Sequence, residues 1–91
     1  MKFQLGALYF TRGVNDKVAT DEGFAKFVLE SLRRHVRGNW GELTQHDIDE
    51  NELSLKEGFR LMSAYHYGDI KIWIITESDR SATTVLFPNE Y

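Results

Sequence analysis

Near its start the chain alternates, with Phe3, Leu5, Ala7 and Tyr9 on one parity and Gln4, Gly6 and Leu8 on the other. A period of two predicts a first strand from about Lys2 to Thr11. The turn formers of Thr11-Arg12-Gly13-Val14-Asn15-Asp16-Lys17 end it. The spacing then changes to three and four, placing Phe24, Phe27, Val28, Leu32 and Val36 on one stripe of a helix. Thr20 is its expected N-cap. Asp21 and Glu22 complement the positive end of the helix dipole, and Arg33, Arg34, His35 and Arg37 crowd the negative end before Gly38. A second helix starts near Thr44. Thr44 and Asp47 have the spacing of a capping box, and Leu43 and Ile48 that of a hydrophobic staple. Gly58 closes it, and Asp49-Glu50-Asn51-Glu52 in its middle points to a helix exposed around most of its girth.

Alternation returns in Phe59-Arg60-Leu61-Met62-Ser63-Ala64-Tyr65 and again in Ile70-Lys71-Ile72-Trp73-Ile74-Ile75-Thr76, with hairpin chemistry at Tyr67-Gly68-Asp69 between them. A polar turn, Glu77-Ser78-Asp79-Arg80-Ser81, leads to the β-branched run Ala82-Thr83-Thr84-Val85-Leu86-Phe87, which Pro88 ends. The predicted order is β-α-α-β-β-β: one α+β domain over residues 1–91, with two layers and both helices on one face of a mostly antiparallel sheet. Ile70, Ile72 and Ile74 should face inward, with Trp73 and Ile75 on the other side. A strand apolar on both faces should be central.

The chain has 42% hydrophobic and 27% charged residues among 91, the composition of a globular domain able to bury a core without metals or disulfides. It contains no cysteine, which excludes thiol nucleophiles and thiolate zinc sites and favours a reducing, cytoplasmic setting. No signal peptide or membrane span is legible. A net charge of −3 argues against coating nucleic acid by bulk electrostatics, though it allows a local basic patch.

The chemistry-bearing residues form no known catalytic motif. His35, His46 and His66 fall on three elements without metal-ligand spacing, so no metal or other cofactor is expected. There is no phosphate-binding glycine loop and no serine-hydrolase elbow. Arg33, Arg34 and Arg37 followed by Trp40 either complement the helix end or contact phosphate and stack a base. The turn holding Glu77, Asp79 and Arg80 is either a functional loop or one held by Asp79 on backbone amides and Arg80 on a carboxylate such as Glu77. Phe3, Phe24, Phe27, Trp73 and Phe87 read as core. Tyr65, Tyr67, Tyr91 and Trp40 are candidates for exposed interface anchors.

The segments His35–Leu43, Gly58–Tyr65 and Ile72–Tyr91, the last the most specific, resemble the small bacterial "plasmid-related" proteins. The resemblance implies a bacterial, mobile-element context and no established activity. Its polar positions here are His35, Trp40, Asp47, Asn51, Arg60, Glu77, Asp79 and Arg80. The expected function is a non-enzymatic accessory or anti-defence factor that binds a macromolecule, with a protein partner favoured over nucleic acid. The alternatives are nucleic-acid binding through Arg33, Arg34, Arg37 and Trp40, and a small hydrolase pairing His35 with Asp47 or Glu77 with Asp79. An edge strand that pairs across a two-fold axis would give a homodimer.

Overall fold

The computed structural model describes residues Met1–Tyr91. The chain is of the α+β class, in the order β1 (Ala7–Phe10), α1 (Arg12–Thr20), α2 (Glu22–Val36), α3 (Gln45–Glu57), β2 (Leu61–Tyr67), β3 (Ile70–Thr76), β4 (Ala82–Leu86), followed by a single 3₁₀ turn at Pro88–Glu90. The sheet order is β1-β4-β3-β2. The β2–β3 and β3–β4 pairs are antiparallel, and β1 lies parallel to β4.

Two expectations change. The first strand is shorter than its alternation suggests, and the segment read as a turn is the start of a third helix, α1. One of its free amides, that of Gly13, is capped by Glu90, distant in sequence. The Glu90 carboxylate accepts from the Gly13 amide at 3.0 Å, from the Thr11 hydroxyl at 2.5 Å and from the Phe87 amide at 2.9 Å. These bonds, the Thr11 hydroxyl first, hold the Glu90 carboxyl below the usual range. A Cβ at Gly13 would sit 2.7 Å from a Glu90 oxygen, so glycine here admits the carboxylate and is not a helix breaker.

The other helix ends are local. Asp21, one residue beyond the expected cap, accepts from the Phe24 amide at 3.0 Å and starts α2. At its far end Gly38 (φ 78°) donates to His35 and Asn39 donates to Arg34, the paired bonds of a Schellman ending. The Thr44 hydroxyl accepts from the Asp47 amide at 3.2 Å and starts α3.

The core occupies one face of the sheet. Val14 of α1 and Phe24, Val28 and Leu32 of α2 pack with Tyr65, Ile72, Ile74 and Val85. Ile72 and Ile74 face inward as expected, and β3 is an interior strand. Burying an aliphatic or aromatic side chain of this kind contributes about 1.5–3 kcal/mol, so this face carries most of the stability. Register puts Tyr9, Thr84, Leu86, Lys71, Trp73, Ile75, Met62, Ala64 and His66 on the opposite face. None of them belongs to that cluster, although Ala64, Ile75 and Leu86 are themselves buried. No helix is long and apolar enough to cross a membrane.

Candidate functional site

The expected polar residues separate into a buried chain, a staple, a strand mimic and a cleft. His35 is fully buried at the end of α2. Its Nδ1 lies 2.5 Å from the Ser63 hydroxyl and its Nε2 2.9 Å from that of Thr76; Thr76 lies 2.7 Å from Thr83, and Thr83 donates to the Leu5 carbonyl at 2.7 Å. The carbonyl sets every proton in this line. Because Leu5 can only accept, Thr83 spends its proton there and accepts from Thr76. Thr76 then accepts from Nε2–H, and Nδ1 accepts from Ser63. His35 is therefore the Nε2–H tautomer, with both nitrogens occupied. Phe3 and Trp40 close over it edge-on, with ring centroids at 5.1 and 5.7 Å. Burial first, and then the Arg80 charge, push its pKa down to about 3. It is neutral at pH 7.

No ring nitrogen is left to meet Asp47, so the His35–Asp47 hydrolase pairing has no geometry to work with. The Glu77–Asp79 pairing fares no better. Both residues are exposed on the β3–β4 turn, where Asp79 accepts from the Ser81 amide at 2.9 Å as a turn residue does. Its bonds to Ser81 pull the Asp79 carboxyl down, whereas a general acid needs the opposite.

Arg80 sits at φ 61° in that turn, a conformation costing a non-glycine residue about 1–3 kcal/mol. Its guanidinium offsets this by donating to four carbonyls: Phe59 (2.6 Å), Ser54 (3.0 Å), Glu77 and Ser78 (both 3.1 Å). The expected partner was the Glu77 carboxylate. A planar fork instead finds carbonyls left over where α3 ends and the hairpin turns. Arg80 thus ties the end of α3 to the β3–β4 turn.

Asn51 is buried on α3 and acts as one residue of an extra strand. Its amide donates to the Met62 carbonyl at 2.7 Å and its oxygen accepts from the Met62 amide at 3.1 Å. Beside it Ala64 donates to Trp40 and accepts from Glu42 through the bridge at Gly41. His66 completes the edge by bonding Glu42. The outer edge of β2 is therefore covered.

The basic cluster is only partly free. Arg33 pairs with Glu30 at 3.4 Å, while Arg34 bonds Asn39 at 3.1 Å and lies 4.6 Å from the Tyr65 ring centre. Trp40 is 3% exposed and donates to Glu52 at 2.9 Å, so it offers no stacking face to a base. Arg37 is exposed, and the Lys2 side chain lies against neighbouring Gly38.

What remains open lies on the other side of the sheet. Leu43, Asp47, Glu50, Asn51, Ser54, Phe59, Arg60 and Met62 line a cleft of about 400 Å³ between α3 and the start of β2. It unites three expected residues, Asp47, Asn51 and Arg60; His35, Glu77, Asp79 and Arg80 are not among its lining. Arg60 donates to the Tyr91 hydroxyl at 2.7 Å, and the Tyr91 ring meets Trp73 edge-on at 5.6 Å. Tyr91 and Tyr9 are more than half exposed, Phe59 likewise, and Trp73 partly so. The cleft thus runs into an aromatic part of the sheet face opposite α1 and α2. Trp73, read as core, is half-buried and lies outside the core cluster, on the side that its parity opposite Ile72 and Ile74 assigns to it.

Comparison with protein-family models, with curated proteins and with solved structures gives no match. The resemblance to plasmid-related proteins rests on the three sequence segments alone.

Proposed function

We propose that this chain is a non-enzymatic binding domain, acting in a bacterial mobile-element setting, that recognises a protein partner with the sheet face opposite α1 and α2. The observation that carries the reading is the Trp73–Tyr91 pair. A tryptophan and a tyrosine stand together on the sheet face that no core helix covers, the residue types that most often anchor interfaces. The adjoining cleft supports a protein over a nucleic acid, because Asp47 and Glu50 outnumber Arg60 in its wall and leave it net negative, which disfavours phosphate and favours a Lys or Arg side chain. An anti-defence role fits the size and setting.

The test is capture of partners from a bacterial host lysate on wild-type protein and on the Trp73→Ala, Tyr91→Ala double variant. Circular dichroism checks the fold of both. A protein retained by the first and lost from the second supports the reading. No specific protein on the wild type, or equal retention by both, refutes it.

A second reading has one observation behind it. Lys2 lies beside Gly38, adding a cation to the end of α2 near Arg33 and Arg37. Nucleic-acid binding there would weaken steeply with salt and with Arg33→Glu, Arg37→Glu. Binding indifferent to both changes removes it.

A further inference from the structure

The two edges of the sheet are built differently. The β2 edge is covered by the Asn51 side chain, the Trp40–Glu42 segment and the His66–Glu42 pair. No such device covers β1. Ala7 donates to Ser81 and Thr11 donates to Val85, so the alternation of a parallel ladder turns the amides and carbonyls of Leu8 and Phe10 away from β4. Proteins usually blunt such an edge with Lys, Pro or a bulge. Here no charge and no proline occurs between Lys2 and Arg12, while Leu8 and Tyr9 are 45% and 56% exposed.

We propose that β1 pairs with β1 of a second copy, antiparallel about a two-fold axis normal to the sheet. One register leaves none of the outward groups of β1 unpaired, namely Leu8 opposite Phe10 of the second copy, with the two Tyr9 residues facing each other at the axis. Each Leu8 and each Phe10 then exchanges both of its backbone bonds with the other copy. A second copy fits better than an unrelated strand for two reasons. The outward pattern is its own complement under a two-fold. The uncharged run also brings no like charges face to face, which would oppose self-pairing. The axis keeps corresponding faces on the same side, so the two faces opposite α1 and α2 join into one with Tyr9 at its centre. Four residues per strand bury less than the roughly 1,200 Å² of a stable interface. The dimer is accordingly weak and dissociates on dilution.

The experiment is sedimentation of the full chain over a wide concentration series, with amide exchange followed residue by residue. The mass should move from one chain towards two as concentration rises. Protection of the Leu8 and Phe10 amides should rise with it, while the Ala7 and Tyr9 amides stay as they were. Leu8→Pro removes an outward amide without touching the bonds to β4, and it should keep the protein monomeric. A chain that stays monomeric throughout overturns the proposal. So does a dimer whose Leu8 and Phe10 amides exchange as in the monomer, a readout on unaltered protein that holds even if Leu8→Pro fails to fold. Neither measurement touches Trp73 or Tyr91, so this proposal and the partner-binding reading fail separately.

Discussion

Tyr65 and Tyr91 are the same residue type on opposite faces of one sheet, each beneath an arginine, yet they differ sharply in burial. Tyr65 is 1% exposed, its hydroxyl donates to the Asn39 carbonyl at 2.5 Å and Arg34 covers its ring. Tyr91 is 69% exposed, bonds the exposed Arg60 and meets the half-buried Trp73. The face of Tyr65 is a finished interior in which every buried side-chain polar atom has a partner. The face of Tyr91 carries aromatic surface that the fold does not use. His35 went to the first face, whereas Asp47, Asn51 and Arg60 line the cleft beside the second, where the surface open to a partner lies.

The contrast is broken most severely by His35→Ala. It opens a cavity beneath Phe3 and Trp40 and strands the Ser63 hydroxyl, so a loss of about 3–5 kcal/mol in urea unfolding is expected. Next comes Arg80→Ala, which frees four carbonyls while the backbone remains in the left-handed region; about 2–3 kcal/mol is expected. Arg80→Lys should recover little of this, since one ammonium cannot span those carbonyls.

Acidification acts on the same buried chain. His35 titrates near 3 folded and near 6.5 unfolded, so the unfolded state binds the extra proton. Its contribution is intact above pH 6.5 and is lost as pH falls below that value, by about 1.4 kcal/mol per unit. Unfolding midpoints measured between pH 6.5 and 5, before the carboxylates titrate, should show this loss. A flat profile there would mean that His35 is not held neutral. The smallest stability effect sharpens the comparison. Tyr91→Ala should cost about 1 kcal/mol or less, its side chain being 69% exposed, and Trp73→Ala, whose side chain is more buried, about 1.5–3 kcal/mol. The same pair should abolish partner capture.

What the sequence could tell tracks how local each cause is. α2, α3 and the β2–β3 hairpin were legible because Asp21, Thr44, Gly38 and Gly58 act within a few residues of themselves. α1 was not, because the carboxylate that caps it belongs to Glu90, and a segment with Gly13, Asn15 and Asp16 reads as a turn without it. The parallel pairing of β1 was hidden for the same reason. Among the site residues, His35, Asn51 and Arg80 carry groups that serve catalysis and structure equally well. Only position separates the uses: Asn51 imitates a strand because Met62 lies opposite, and Arg80 bonds carbonyls because two turns end beside it. Trp73 was the reverse case, apolar in type and therefore assigned to the core despite its parity.

The pairing of β1 with β4 also bears on how the chain folds. Ala7 meets Ala82, and the acid that caps α1 arrives after Phe87, so the first strand has no partner until β4 has been made. α2, α3 and the β2–β3 hairpin rest on short-range contacts and can form early, whereas closing so long a loop is slow. During synthesis the segment from Phe3 to Thr11 would wait uncharged and unpaired while the rest emerges. The residues that seal β1 and α1 are thus made well after them.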